Sequence, residues 1–243
     1  MSSSLVAVRD IPGRGRGLVA TSSISAGGVV LAERHPLCRA GFAHHLLALK
    51  EETELLSSMG YLPDWWGHAV KDRRVVESCQ ASLEAAAPAQ QMAFAQLDDA
   101  FDVEQGGTAA GRFMTNNIQL PAADGASTLG DFAVYENYSR INHSCEPNVR
   151  VELKHNGELT VLALVDLSPG DEIRDHYLAE MEADAGSSDE ASRLASLVRV
   201  EMRRHLKERW RFVCDCARCM REGPIADRPA AHRWEDTSYL YYT

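Results

Sequence analysis

Three cysteines fall within six residues, Cys214-Asp215-Cys216-Ala217-Arg218-Cys219, and Cys38, Cys79 and Cys145 complete the six in the chain. In a secreted protein six cysteines would suit three disulfides. Here the start, Met1-Ser2-Ser3-Ser4-Leu5, has neither the basic nor the apolar stretch of a signal peptide, so clustered thiols fit a metal in a reducing compartment, zinc first. Cys38 and Cys79 stand alone and read as buried apolar cysteines, which leaves no second cluster.

A second run, Ser139-Arg140-Ile141-Asn142-His143-Ser144-Cys145-Glu146-Pro147-Asn148, packs amide, imidazole, hydroxyl and thiol groups just ahead of an apolar strand, where they must find partners. Gly170-Asp171-Glu172-Ile173 and Tyr177 follow it. Near the start, Gly15-Arg16-Gly17-Leu18-Val19-Ala20 fits a dinucleotide fingerprint on paper, but that fingerprint needs a helix directly after the glycines. Val19–Ser25 is β-branched and Ser-rich and reaches Gly27-Gly28 too soon for one. What remains is a glycine turn through which backbone can approach a ligand, with Arg14 and Arg16 able to meet an anionic group, or else a plain hairpin turn.

Taken together, these segments resemble the SET-domain protein lysine methyltransferases, whose signature reads Asn-His-Ser-Cys-x-Pro-Asn and matches Asn142 to Asn148. Six fixed identities, at roughly one in twenty each, make a chance match in a chain of this length on the order of a few in a million. The resemblance implies an α+β, mainly β fold of small sheets with a pseudoknot, and S-adenosylmethionine as cofactor. It places Arg14, Gly15, Arg16 and Gly17 at the methionine end of that cofactor, Asn142 and His143 at the adenosine, and Asn116 and Tyr135 at further pocket positions. Tyr177, seven residues after Gly170, matches the catalytic tyrosine, and it also faces the cofactor.

The segment Trp210–Cys219 resembles the post-SET region of the SET-and-MYND group. In that group three such cysteines join the cysteine of the Asn-His-Ser-Cys motif around one zinc, and an aromatic two residues before the first covers the adenine. Cys145, Cys214, Cys216 and Cys219 are then the zinc ligands, and Phe212 the covering ring. The thiol count agrees, since three cysteines are too few for a closed tetrahedral site. The resemblance is incomplete: the stretch 42–101 holds only Cys79 in place of the paired cysteines of a MYND finger, and no long C-terminal helical repeat follows Cys219.

The activity implied is methyl transfer to the side-chain amine of a protein lysine, with a histone tail among the candidate substrates. The alternative is a noncatalytic SET-fold module that binds a partner or a methylated peptide. Expected partners are thus a protein or peptide substrate, with no direct nucleic acid and no membrane, and the chain is expected to be a monomer in the cytoplasm, the nucleus or both.

Composition sets the frame for these elements. The chain has 243 residues, 45% hydrophobic and 25% charged, which excludes disordered, collagen-like and coiled-coil classes. The net charge of −10 opposes phosphate-backbone binding, for which no basic patch is visible. Residues 1–41 read as a β-meander forming the first part of the SET domain. Residues 42–111 read as a helical insertion, with Leu46, Leu49, Leu56, Leu83, Met92 and Leu97 at apolar positions. Residues 112–180 are expected to return to strands, at Arg112–Leu120 and in a hairpin turning at Asn156-Gly157. In 181–243 an acidic linker around Ala183–Glu190 leads to a helix near Ala191–Arg209 and the cysteine segment. His44, His45, His155 and His176 read as surface-loop histidines, Tyr138 as a core or rim ring, and Trp65-Trp66 as a packing pair on the insertion that can border a peptide groove.

Overall fold

Gly13 and Gly15 hold φ at 76° and 70°, which L side chains rarely adopt, and so turn the chain back on itself. The hairpin they close pairs β1 (Val6–Ile11) with β2 (Gly15–Ala20) antiparallel, from Val6↔Ala20 to Ile11↔Gly15. The computed structural model describes residues 4–58, 65–101, 107–121, 131–178 and 189–223.

The expected N-terminal meander ends at this hairpin. β3 (Val29–Glu33) pairs not with β2 but with β9 (Leu159–Ala163), which also pairs with β8 (Val149–Leu153), in the order β3-β9-β8. Packing explains the choice. β9 buries Leu159, Val161 and Ala163 on one face, continuous with Val30, Leu18 and Ile173, whereas the far end of β1 carries the exposed Arg9 and Asp10. The β8–β9 turn falls at Asn156-Gly157 as the sequence suggests: Gly157, with φ of 89°, donates its N–H to the Lys154 carbonyl at 2.9 Å.

A second sheet runs β4 (Cys38–Ala40), β6 (Phe132–Val134), β5 (Asn117–Gln119), all antiparallel. Between β4 and β5 lie α1 (Ala43–Ser58), α2 (Trp65–Ala69), α3 (Arg73–Ala85), α4 (Pro88–Ala95) and α5 (Ala109–Asn116). Asp72 caps α3 by accepting the N–H groups of Arg74 and Val75, and Pro88 opens α4, where its missing N–H costs nothing. Their core centres on Phe42, stacked on Phe132 at 4.9 Å and edge-on to Phe113 at 5.3 Å. Leu46, Leu49 and Leu97 are buried in it, but Met92 is exposed. Leu56 carries no described side chain.

Arg112–Leu120 is not a strand throughout. Thr108 accepts the Gly111 N–H at 2.9 Å and starts α5, which buries Ala110, Gly111, Phe113 and Met114 on one side; only Asn117–Gln119 is extended. The β-branched and aromatic residues there suggested a strand, but an N-cap and helical spacing of the buried positions override them.

The motif strand β7 (Asn142–His143) pairs parallel with β10 (Arg174–Asp175). Asn148 bridges the same two segments: its Nδ2 donates to the Glu172 carbonyl at 2.8 Å and its Oδ1 accepts the Arg174 N–H at 2.8 Å. These contacts hold together the segments that the expected pseudoknot concerns. β10 is delivered by a turn at Ser168-Pro169-Gly170, with Gly170 at φ of 95°. Finally α6 (Asp189–Trp210) buries Met202 and Leu206 against the cysteine segment, which ends in α7 (Ala217–Glu222). Of the acidic stretch 183–190, residues 183–188 lie outside the described residues and Asp189 and Glu190 begin α6. Among the described residues, no helix is long and apolar enough to cross a membrane.

Candidate active site and four-cysteine cluster

A cavity of about 960 Å³ opens where four segments converge: the glycine turn, the end of α5, the motif from Tyr138 to His143 with Asp175–Leu178, and Arg209–Asp215. Close backbone approach builds its floor. A Cβ on Gly17 would lie 2.7 Å from Asn142 Nδ2 and 2.8 Å from Ile11 Cγ1, so glycine is what lets β2 touch the motif strand. Asn142 in turn donates from Nδ2 to Glu172 Oε1 at 2.9 Å. Gly17→Ala is therefore expected to destabilise the fold by about 1–3 kcal/mol through overpacking. Equilibrium urea unfolding checks this, and an unchanged midpoint and slope would show that β2 and β7 can separate freely.

Arg14 and Arg16 border the cavity but are committed to carboxylates of the chain itself. Arg14 donates to Asp215 at 2.6 Å and pairs with Glu172 at 3.5 Å; Arg16 bonds Asp98 and donates to the Gln96 carbonyl at 2.9 Å. Neither is an open anion receptor as the sequence suggested, because an acidic protein supplies nearer partners. Arg14 instead links the glycine turn to the residue between Cys214 and Cys216.

Tyr177 stands between the motif and the C-terminal segment, its ring 5.2 Å from His143 and 5.0 Å from Trp210. Its hydroxyl donates to the Ile141 carbonyl at 2.5 Å. Burial, reinforced by the negative charges of Asp175 and Glu172, pushes its pKa well above the ordinary phenol value, so it is a neutral donor. The Tyr177 N–H donates to His143 Nδ1 at 3.2 Å, which leaves the imidazole proton on Nε2, 3.3 Å from Cys145 Sγ. His143 thus ties the turn that carries Tyr177 to the cysteine cluster.

The other expected pocket residues divide. Asn116 lines the cavity, its side chain donating to the carbonyls of Asp98 and Arg112 at 2.8 and 2.7 Å. Phe212 also lines it, its ring 6.1 Å from that of His143. Tyr135 does not: it is fully buried among the sheet residues, its hydroxyl bonded to the Gly157 carbonyl at 2.8 Å and its pKa pushed up to about 12 by burial. Tyr138 takes the cavity position instead, bonded through its hydroxyl to Asp175 at 3.0 Å. The shift follows from the 3-10 turn Tyr138–Arg140, whose start is capped by Glu33 accepting the N–H groups of Glu136, Asn137 and Tyr138.

His176 is not a surface histidine either. It is buried, with its ring 5.2 Å from His143 and its Nδ1 accepting the Leu178 N–H. His155 is exposed in the β8–β9 turn. His45 lies half-buried on α1, and His44 precedes it on the same helix.

Sequence reasoning missed Asp175 and Arg209 as cavity-lining groups, and Glu172 as the carboxylate that joins Asn142 to Arg14. Arg209 sits between two indoles, 4.8 Å over Trp66 and 4.3 Å over Trp210, while its guanidinium donates to the Asn117 carbonyl. Trp65 and Trp66 do border the cavity. The only advance signal was the Arg-Trp pair closing a helix next to the cysteines.

The sulfurs of Cys145, Cys214, Cys216 and Cys219 are all buried and all within 4.8 Å of one another, and none is in a disulfide. Cys145 Sγ lies 3.9 Å from Cys214 and 3.6 Å from Cys219. A tetrahedral zinc with Zn–S of about 2.3 Å sets sulfurs about 3.8 Å apart, so the donor set fits that ion. Cys145 is pulled far down toward the thiolate by the hydrogen bond from Cys214, with further donors in His143 and Arg199, while Cys214 is pushed up as the partner holding the proton. Among the described residues this is the one group placed to hold a metal. Cys38 and Cys79 lie apart in the insertion core, where burial raises Cys38 to about 12.

The SET-domain family matches residues 15–178, a span that includes β2, the paired motif strand and Tyr177; the chain belongs to that family. It is similar to the histone-lysine N-methyltransferase SET5 of three yeasts. Identity is 34% over 84 residues for Vanderwaltozyma polyspora, covering 35% of this chain and 14% of that protein. It is 33% over 97 residues for Candida glabrata, covering 40% and 16%, and 32% over 96 residues for Saccharomyces cerevisiae, covering 39% and 15%. The matches thus span about a sixth of each relative's length.

Proposed function

We propose that this protein transfers a methyl group from S-adenosylmethionine to the side-chain amine of a protein lysine. The observation that carries the reading is Tyr177 at the cavity, its phenol kept protonated and its O–H aimed at the Ile141 carbonyl, in the turn directly after the strand pinned to Asn142 and His143. S-adenosylmethionine, when bound, supplies an electrophilic methyl group on a sulfonium. Gly15 borders the cavity with open space where a side chain would begin, which gives room for close backbone approach, while Gly17, packed on Asn142, holds the turn against the motif strand. Asn142, His143 and Asn116 would hold the polar parts, and Phe212 offers its ring to the adenine. The protein's own part is positional: the Tyr177 oxygen orients the amine, and the walls exclude water. An amine has a reference pKa of about 10.4 and must be neutral to attack, so a largely apolar channel favours the reactive form.

Zinc on Cys145, Cys214, Cys216 and Cys219 is structural in this reading, all four positions being filled by protein. In this reading the chain is a SET-and-MYND-like protein lacking the MYND finger. Residues 1–41 and 112–180 would form the SET domain, 42–111 the insertion, and 181–243 the linker, helix and post-SET segment. The named activity of the yeast relatives makes a histone the first substrate to try, and a histone substrate would place the protein in the nucleus. The test is transfer of radiolabelled methyl from S-adenosylmethionine into acid-stable protein, using core histones, a cytosolic protein mixture and free small amines in parallel. Label in a histone lysine supports the reading in full. Cofactor binding with no transfer to any acceptor would make the chain a noncatalytic module.

A further inference from the structure

We infer that Arg199 is an outer ligand-supporting residue of the four-cysteine site, a buried cation that bonds the Cys219 sulfur and slows the loss of the metal; this rests on the zinc reading above. Arg199 lies on α6, only 6% exposed, with Nη2 3.4 Å from Cys219 Sγ. The same guanidinium donates from Nη2 and Nε to Glu222 Oε2 at 2.8 and 3.2 Å. Glu222 is on α7, three residues past Cys219, so one carboxylate aims the cation at a sulfur on its own helix. One turn along α6, Arg203 donates to the carbonyls of Cys219 at 3.2 Å and Gly223 at 2.9 Å, which fixes the end of α7.

Charge explains why a cation belongs there. Four thiolates around Zn²⁺ carry a net charge of about −2, and enclosing that charge away from water is unfavourable without compensation. His143 Nε2 faces the Cys145 sulfur at 3.3 Å, and Arg199 supplies the charged donor, 3.4 Å from Cys219 Sγ. The planar guanidinium holds Nη2 against the sulfur while Nη2 and Nε together grip the carboxylate, a fixed geometry that a lysine ammonium on a flexible stem keeps less well. A donor on a thiolate also lowers its electron density, making it a weaker nucleophile and a poorer target for protonation, the step that starts metal release.

The experiment uses the full chain loaded with zinc, and separately with Co²⁺, comparing wild type with Arg199→Met and Arg199→Lys. Zinc release into excess chelator, followed with a colorimetric indicator, is expected to accelerate about tenfold or more in Arg199→Met and less in Arg199→Lys. In the cobalt proteins the sulfur-to-metal charge-transfer band is expected at lower energy in Arg199→Met, because an undonated thiolate gives up its electron more readily, and near wild type in Arg199→Lys. A band and release rate equal to wild type, with a lowered urea midpoint, would show that Arg199 only packs α6 and would overturn the inference. If Arg199→Met does not fold, Glu222→Gln, which removes the aiming carboxylate and keeps the cation, is read in the same way: unchanged release and band overturn the inference, faster release supports it. A wild-type chain that takes up neither metal removes the zinc reading, and this inference with it, whereas metal uptake with an indifferent Arg199 removes this inference alone.

Discussion

Tyr177→Phe is expected to lower methyl transfer by about 10²-fold or more while leaving cofactor affinity within a few-fold of wild type, the effect of deleting one positioned group that acts in the transition state. The hydroxyl is the only atom removed, and the ring contacts to His143 and Trp210 at 5.2 and 5.0 Å survive the change. Its loss strips the Ile141 carbonyl of a donor, a cost of about 1 kcal/mol in stability, too small to unfold a domain of this size. Single-turnover transfer, calorimetric cofactor titration and urea unfolding on one preparation separate the three quantities. Near-normal transfer by the folded variant would remove Tyr177 from the chemistry.

What the sequence made legible follows the range of each interaction. Tyr177, Asn142, His143 and the four cysteines are written in short fixed patterns, and through these the resemblance to a family pointed to them without a fold. The β8–β9 hairpin was equally local, since Asn156-Gly157 permits the positive φ that its turn requires. Long-range pairing was not legible. Val29–Leu31 looked like the third strand of a meander, yet its partner, β9, begins more than a hundred residues later, and only the shared buried face decides it. Tyr135 and Tyr138 show the same limit at finer scale: three positions apart, both aromatic, they are told apart by a 3-10 turn capped from Glu33 on a distant strand. Arg14 and Arg16 were visible as cations, but the carboxylates that occupy them come from Asp215, Glu172 and Asp98, which no sequence window contains together.

Removal of the zinc is expected to loosen the C-terminal wall of the cavity and spare the rest. Metal analysis should find one zinc per chain, and none tightly held in Cys216→Ser. Structural zinc binding amounts to about 10–16 kcal/mol in small zinc-folded peptides, so its loss frees whatever only the metal holds. Here that is the run from Phe212 to Cys219, together with the faces of Met202 and Leu206 that pack on it, while Trp210 keeps its indole N–H on the Thr115 carbonyl at 2.9 Å. The sheet core and the insertion core contain none of these residues and should keep their cooperative unfolding. Phe212 sits two residues before Cys214, and Asn142 and His143 sit just before Cys145, so one ion ties both walls of the cavity. Arg14, bonded to Asp215 at 2.6 Å, adds a link that an exposed aspartate makes too weak to replace the metal. S-adenosylmethionine affinity should therefore fall about tenfold or more on chelation. Phe212→Ala should reproduce much of that fall with zinc retained, because the loss of one aromatic face amounts to about 1.5–3 kcal/mol. Calorimetric titration of the zinc-free protein and of zinc-loaded Phe212→Ala decides the point: cofactor affinity unchanged in both would mean that the cysteine lobe is no part of the pocket it borders.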